Sequence, residues 1–283
     1  MVKKNNFLLI LQARQNSTRF PNKVLQKIHG IPLIIFLLKR LNKCKKVDQV
    51  VTVIPKNKKN KYLKKILQKY NFQHFEGSEK NVLERFYLCA KKFNSKNIIR
   101  ITADCPLSDP QIIDEFTQIF KNKNVDYLSN GNPPTFPDGF DVEIFTFNAL
   151  EKSYFSAKSL YEKEHVTPYI KKNNFFSKYN VINKIDLSNI RLTVDYVEDL
   201  IVVKKIISQI KNKADYSLEN VIKIINKDKE IMKLNSNYKR NTGSKNSENQ
   251  KLWERAKTII PGGNMLISKR PELFLPLRWP TYF

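Results

Sequence analysis

The sequence predicts an α/β fold, a mostly parallel sheet with helices on both faces. Three observations carry that prediction. Short apolar or β-branched runs alternate with amphipathic stretches of helical length over the first 128 residues. The first run, 7–11, is apolar throughout, the pattern of a strand buried on both faces. Two of the helical stretches open on proline, at Pro32 and at Asp109-Pro110, as helix starts do. The chain has 283 residues and is 41% hydrophobic, enough for one large domain or two smaller ones with a proper core.

Taken in order, 7–11 is the first strand. Residues 32–41 form a helix with Leu33, Phe36, Leu37 and Leu41 on its inner stripe. The β-branched run 49–54 is the second strand. The stretch 61–70 is an amphipathic helix that turns Leu63, Ile66, Leu67 and Tyr70 inward. Residues 72–75 form a short strand, 82–93 a helix and 98–102 a strand. Asp109 caps a helix running to about 120. After residues 126–128 the pattern changes. A Pro/Gly/Asn loop at 130–139 leads to a strand at 140–145 and helices at 149–157 and 164–171. A strand at 190–194 and a helix at 198–210 follow, then a last helix at 217–234. Residues 236–249 are polar and aperiodic, which reads as a linker between a domain at 1–235 and a tail at 250–283.

Composition narrows the function classes. Lys and Arg number 51 against 26 Asp and Glu, a net charge of +25. That surplus suits anionic substrates or nucleic acid. The lysines are spread through loops and helix ends, with no basic stripe interleaved with aromatics, so a dedicated nucleic-acid partner is not expected. The three cysteines, Cys44, Cys89 and Cys105, form no C-x-x-C pair and no disulfide framework. The apolar run at 7–11 is too short for an export signal, and 31–38 is too short to span a bilayer. A soluble, cytoplasmic protein is expected. Only seven glycines occur, and neither G-x-x-x-x-G-K nor G-x-G-x-x-G is present, so phosphate binding must come from side chains.

Those side chains stand at residues 11–25, LQARQNSTRFPNKVL. The first strand runs directly into a loop carrying Arg14, Arg19 and Lys23, with the hydroxyls of Ser17 and Thr18 between them. Arginine offers phosphate a planar fork of donors and lysine a point charge. Pro21 stiffens the loop. The end of a first strand in an open α/β sheet is also where ligands bind. Asp104, in A-D-C-P-L just past the strand at 98–102, suits a Mg²⁺ ligand, because Mg²⁺ takes a few carboxylates together with waters and phosphate oxygens. Asp141 and Glu143 alternate along the predicted strand 140–145 and so share a face, and two acids on one partly buried face need a purpose.

The string L-Q-A-R-x-x-S-T-R-x-P-x-K-V-L resembles the signature of the cytidylyltransferase family that includes CMP-Kdo synthetases and spore-coat-polysaccharide-type sugar nucleotidyltransferases. Further motifs extend the resemblance over roughly 5–210: G-S-E-x-x-V-L-x-R at 77–85, A-D-C-P-L at 103–107 and T-V-D-x-x-E-D-L at 193–200. Tyr196-Val197 stands where relatives often have Thr-Pro. The resemblance implies a Rossmann-like nucleotide-diphospho-sugar transferase fold. It implies Mg²⁺-dependent transfer of CMP from CTP to a sugar, with release of pyrophosphate, for surface polysaccharide or glycoconjugate biosynthesis.

On that resemblance the loop residues Gln12, Ala13, Ser17, Thr18 and Arg19 bind the triphosphate, and Arg14 and Lys23 act as catalytic cations. Asp104 and Asp195 hold the metal. Glu79 and Arg85 lie near base and ribose. Asp141, Glu143 and His165 lie toward the acceptor sugar, with a subunit contact as the other role for His165. A homodimer is left open. Other readings also remain: a different nucleotide or a sugar 1-phosphate, a glycosyltransferase (which would need a D-x-D motif that is absent), and a basic RNA-binding protein. The tail at 250–283 resembles the opening of glutamate-1-semialdehyde aminomutase-type class III aminotransferases, without the lysine that would bind pyridoxal phosphate. A truncated fusion is the expectation there.

Overall fold

In a computed structural model, residues 6–210, 215–238, 240, 255, 256 and 258–260 are described. The chain divides into two units, Met1–Ser236 and Asn237–Phe283. Of the second, residues 237, 238, 240, 255, 256 and 258–260 are described. The expected linker and aminotransferase-like tail therefore fall almost wholly outside the described residues.

In the first unit the elements run β1 (Phe7–Gln12), β2 (Lys27–Ile28), β3 (Ile31–Pro32), α1 (Leu33–Leu41), β4 (Gln49–Pro55), α2 (Lys61–Lys69), β5 (His74–Gly77) and α3 (Val82–Lys92). They continue with β6 (Asn97–Thr102), α4 (Pro110–Lys123), β7 (Tyr127–Ser129), β8 (Glu143–Thr146), α5 (Phe147–Ser156), α6 (Leu160–His165), α7 (Pro168–Lys172) and β9 (Lys178–Asn180). Last come α8 (Val197–Gln209), α9 (Leu218–Lys227) and α10 (Glu230–Lys233).

The seven-stranded sheet has the order β5-β4-β1-β6-β8-β7-β9. Only β8 runs against the rest, pairing antiparallel with β6 and β7. β1 lies inside the sheet between β4 and β6, both parallel to it. This explains its uninterrupted apolar run. Leu8 and Ile10 point into one core with Val51, Phe86 and Phe145, and Phe7, Leu9 and Leu11 point into the other with α1, α4 and α8. Period-2 alternation is present, but both faces are buried, so hydropathy does not alternate.

The chain moves from β1 to β4 and β5 on one side, then crosses to β6 on the other. The strand order thus reverses between β1 and β6, and the carboxyl ends of these two strands flank a crevice of the kind in which α/β sheets bind ligands.

The structure departs from the expected elements in physically readable ways. Helix α1 is buried nearly all round rather than along one stripe. It follows the small hairpin β2–β3, whose two turn residues, His29 and Gly30, both have positive φ, as a two-residue hairpin turn demands. The expected strand at 140–145 begins only at Glu143. The expected helix at 164–171 breaks at Val166, and the one at 217–234 breaks at Asp228, where φ is −135°. The short polar edge strand β9 was not expected.

Residues 190–194 are extended but are not a strand. Arg191 makes a single parallel bridge to Asp138, with Leu192 N–H donating to the Asp138 carbonyl at 2.7 Å and Asp138 N–H donating to Ile190 at 2.9 Å. Gly139 permits this approach. Its φ is +109°, and a Cβ there would lie 2.7 Å from the Leu192 carbonyl carbon. Among the described residues no helix is long and apolar enough to cross a membrane.

Candidate active site

The signature loop leaves β1 at Ala13, whose buried N–H is tied to the Val53 carbonyl. It is held closed by Gln15, which the sequence reading did not single out. The Gln15 side chain donates to Asn22 Oδ1 (3.0 Å) and accepts from the Leu63 N–H at the start of α2 (3.1 Å), and its own N–H donates to Asn60 (2.8 Å). Asn22 adopts the left-handed region, φ 58°, which Asn tolerates better than most residues. These contacts set the backbone of Lys23, the first residue of a 3₁₀ turn.

Lys23 reaches across the crevice. Its Nζ donates to Asp104 Oδ2 and to Asp195 Oδ1, both at 2.8 Å. Asp104 sits just past β6 and Asp195 just before α8. They meet because Val194 N–H and the Thr193 hydroxyl both donate to the Asp104 carbonyl, at 2.7 and 3.3 Å. Arg19 adds a second cation, Nη2 to Asp195 Oδ2 at 2.7 Å, with its guanidinium 5.4 Å from the Tyr196 ring centre. The Asp104 and Asp195 side chains keep 27% and 18% of their surface exposed, so a ligand can reach them. Burial pushes both carboxyls up, but the Lys23 ammonium outweighs it and holds both below the ordinary range. For Lys23, burial lowers its pKa, while Asp104 and then Asp195 raise it above the usual value. All three groups stay charged at neutral pH.

Behind Asp195 lies a network the sequence reading missed. The buried Arg191 places Nη1 on Asp138 Oδ2 (2.9 Å), Nε on Asp199 Oδ1 (2.9 Å) and Nη2 on Asp199 Oδ2 (3.0 Å) and Asp195 Oδ2 (3.4 Å). Asp199 Oδ2 also accepts the N–H groups of Asp195 and Tyr196, at 2.9 and 3.0 Å, so its place at the start of α8 is structural. Asn235, buried beyond α10, closes the network by donating to Asp199 Oδ1 (2.9 Å) and the Arg191 carbonyl (3.1 Å). A chain ending at Ser236 is therefore expected to be about 1–3 kcal/mol more stable to urea than one ending at Leu234, which loses both bonds. Equal urea midpoints for the two chains would show that the Asn235 contacts carry no stability. The only local cue to this network was an Arg four residues before Asp195.

The other expected residues fall in separate places. Arg14 and Thr18 are exposed and Ser17 is half-buried. Gln12 uses its side-chain carbonyl to accept from Arg100 Nε (3.3 Å) and Nη2 (3.0 Å). Arg85, expected as an exposed or ligand-facing helix residue, is 2% exposed. It packs over Gly77, where a Cβ would lie 3.0 Å from its Cγ, and donates to the Ser78 carbonyl at 3.0 Å. Burial, then the nearby Arg14 charge, lower its pKa to about 10. Glu79, exposed on the same loop, opposes that shift.

Asp141 and Glu143 do not share a strand face. Asp141 lies before β8, outside the strand, and accepts from Gly139 N–H at 3.3 Å. Its charge, with that of Asp104, helps burial push the Cys105 thiol up, so Cys105 is a packed thiol rather than a reactive one. Glu143 is enclosed instead. Arg100, Lys171 (2.7 Å), the Tyr127 hydroxyl (2.6 Å) and the Thr167 hydroxyl (2.8 Å) all bond its carboxylate. Burial raises that carboxyl, but Lys171 and Arg100 bring it well below the usual range. Its partners supply the purpose that a buried acid requires.

His165 ends α6 and lies against the Tyr161 ring, with centroids 4.6 Å apart. The next residue, Val166, has φ 71° and ψ −55°, with Thr167 N–H donating back to the His165 carbonyl at 2.8 Å. This is a strained turn for a β-branched residue, worth on the order of 1–3 kcal/mol.

Comparison with known proteins supplies the setting for this geometry. Residues 8–201 match the family model described as Cytidylyltransferase. An uncharacterised protein of Methanocaldococcus jannaschii is 34% identical over 236 residues, covering 81% of this chain and 94% of that protein. The spore coat polysaccharide biosynthesis protein SpsF of Bacillus subtilis is 29% identical, covering 79% of this chain and 95% of its own length. Among solved structures, a cytidylyltransferase from Leptospira borgpetersenii superposes with a TM-score of 0.77 at 32% identity, over 80% of this chain and 96% of that one. The match spans the strand-order reversal, the signature loop and both aspartates, and on that ground the chain belongs to the cytidylyltransferase family.

Proposed function

We propose that the protein transfers CMP from CTP to a sugar, releasing pyrophosphate. The observation that carries this reading is the meeting of Lys23 and Arg19, from the signature loop, with Asp104 and Asp195 at one point of the crevice. Cations that already reach this point can neutralise a triphosphate laid along the loop. Lys23 and Arg19 take the phosphate oxygens, and Arg14, exposed at the loop's start, adds charge at the outer end. The acceptor hydroxyl attacks the α-phosphorus and gives up its proton to solvent, a new P–O bond forms, and the bond to pyrophosphate breaks. Such a reaction is driven by positioning and by stabilising charge that develops on the leaving group.

Asp104 and Asp195 suit Mg²⁺. They are two hard, ionised oxygen donors converging on one cation-sized position, with solvent access for phosphate oxygens and water. When bound, the ion supplies charge neutralisation on the phosphates. The likeness to SpsF, a polysaccharide biosynthesis protein, favours a surface-polysaccharide sugar as acceptor.

Pyrophosphate release with CTP, UTP, GTP and ATP against a panel of acidic sugars, amino sugars and sugar 1-phosphates tests the reading. CTP with one free sugar is expected to stand at least ~10-fold above every other combination, a difference of about 1.4 kcal/mol in binding or barrier. Equal use of another nucleotide would overturn the cytidine assignment, and exclusive use of a sugar 1-phosphate would overturn the acceptor class.

A further inference from the structure

We infer that Lys23 is a built-in counter-ion that competes with the divalent cation for Asp104 and Asp195 and gives way to it only when a triphosphate offers its ammonium another partner. The inference rests on the nucleotidyl-transfer reading and concerns the order in which ligands can load.

Lys23 Nζ lies 2.8 Å from one oxygen of each carboxylate. It therefore fills the position between the two acids that a divalent ion held by both would take. An ammonium and a metal ion cannot share that position, because like charges at contact distance repel strongly in a partly buried site. The two acids are not equally dependent on Lys23. Asp195 has Arg19 at 2.7 Å and Arg191 at 3.4 Å as further cations. Asp104 has Lys23 as its one ion-pair partner among the described residues. Removing Lys23 thus leaves Asp104 without a neutralising charge and should strengthen its hold on a metal.

The side chain is also free to change partners. Its backbone is fixed by the Gln15–Asn22 bond and the 3₁₀ turn, but four methylenes separate that anchor from the ammonium. An ammonium has three donors, and two are committed to the carboxylates. Arg191, by contrast, is locked by Asp138 and Asp199 and cannot leave. Metal and triphosphate binding are therefore coupled through Lys23: the phosphates draw the ammonium away and open the position for the metal. By linkage the coupling is reciprocal, so metal must tighten nucleotide binding by the same factor.

Titration of Mn²⁺ against the full chain, with free Mn²⁺ read by electron paramagnetic resonance, tests this without any turnover. Without nucleotide, Lys23→Met is expected to bind Mn²⁺ at least ~10-fold more tightly than the wild type, while Lys23→Arg, which keeps the charge, binds as weakly as the wild type. A non-hydrolysable CTP analogue should tighten Mn²⁺ in the wild type and do so less in Lys23→Met. A circular dichroism spectrum matching the wild type establishes that Lys23→Met is folded. Mn²⁺ binding in Lys23→Met no tighter than in the wild type, while Lys23→Met/Asp104→Asn binds still more weakly, would overturn the counter-ion and leave the metal assignment standing. If adding Asp104→Asn to Lys23→Met leaves Mn²⁺ binding unchanged, the metal assignment itself falls, and the counter-ion with it.

Discussion

Asp104→Asn and Asp195→Asn are each expected to lower the rate of pyrophosphate release by ~100-fold or more, the usual scale for losing a group that stabilises charge in the transition state. The double variant should lose little beyond the worse single variant. Both carboxylates meet one ammonium at 2.8 Å, and the Asp104 carbonyl accepts from the Val194 N–H and the Thr193 hydroxyl, so the two acids act as a unit. Raising Mg²⁺ should recover part of the rate in the single variants and less in the double. Steady-state rates over a Mg²⁺ series decide the matter. Multiplicative losses would place the two acids in separate sites, and unchanged rates would move the chemistry elsewhere. Asp195→Asn should be the more disruptive to structure, because its carboxylate also carries Arg19 and borders Arg191.

The second large effect falls on stability. Arg191→Met is expected to cost about 3–5 kcal/mol, the range for breaking a buried ion pair by removing one partner. The arginine is 6% exposed, and without it Asp199, fully buried, and Asp138 each lose an ion-pair partner. Lysine cannot restore it, since one ammonium cannot replace the fork of donors that spans Asp138, Asp199 and Asp195. Urea unfolding followed by circular dichroism gives the difference directly. The residue is also expected to matter for function, because Asp195 is held between Arg191 and the signature-loop cations. A wild-type urea midpoint for Arg191→Met would show that the network contributes nothing to stability.

How much could be read from the residues differs by element. The alternation up to α4 was legible because parallel strands in a two-sided sheet are continuous apolar runs, and the helices between them keep one polar side, an opening proline or a cap such as Asp109. Beyond residue 128 legibility falls. Residues 190–194 have a strand's composition, but Gly139 and Asp138 offer them a single bridge. β9 has a loop's composition, Lys-Tyr-Asn, yet pairs with β7 at the sheet edge. Strand formation depends on a neighbour with free hydrogen-bonding groups, and local pattern does not report that neighbour.

The site shows the same division. Residue pattern alone revealed the fold class, the cationic loop after β1 and the position of Asp104 and Asp195 just beyond apolar, β-branched runs, because strand ends and loop charges are local properties. The sequence also holds no glycine-rich phosphate cradle, neither G-x-x-x-x-G-K nor G-x-G-x-x-G. The folding of the chain settled which charges meet. It set Lys23 between the two aspartates and enclosed Glu143 among Arg100, Lys171, Tyr127 and Thr167. It parted Asp141 from Glu143, and it built the support behind Asp195 from Arg191, Asp138, Asp199 and Asn235. Distance along the chain explains the difference. Coulombic and hydrogen-bond partners are chosen by proximity in space, and strand order and crossover, not local periodicity, set that proximity.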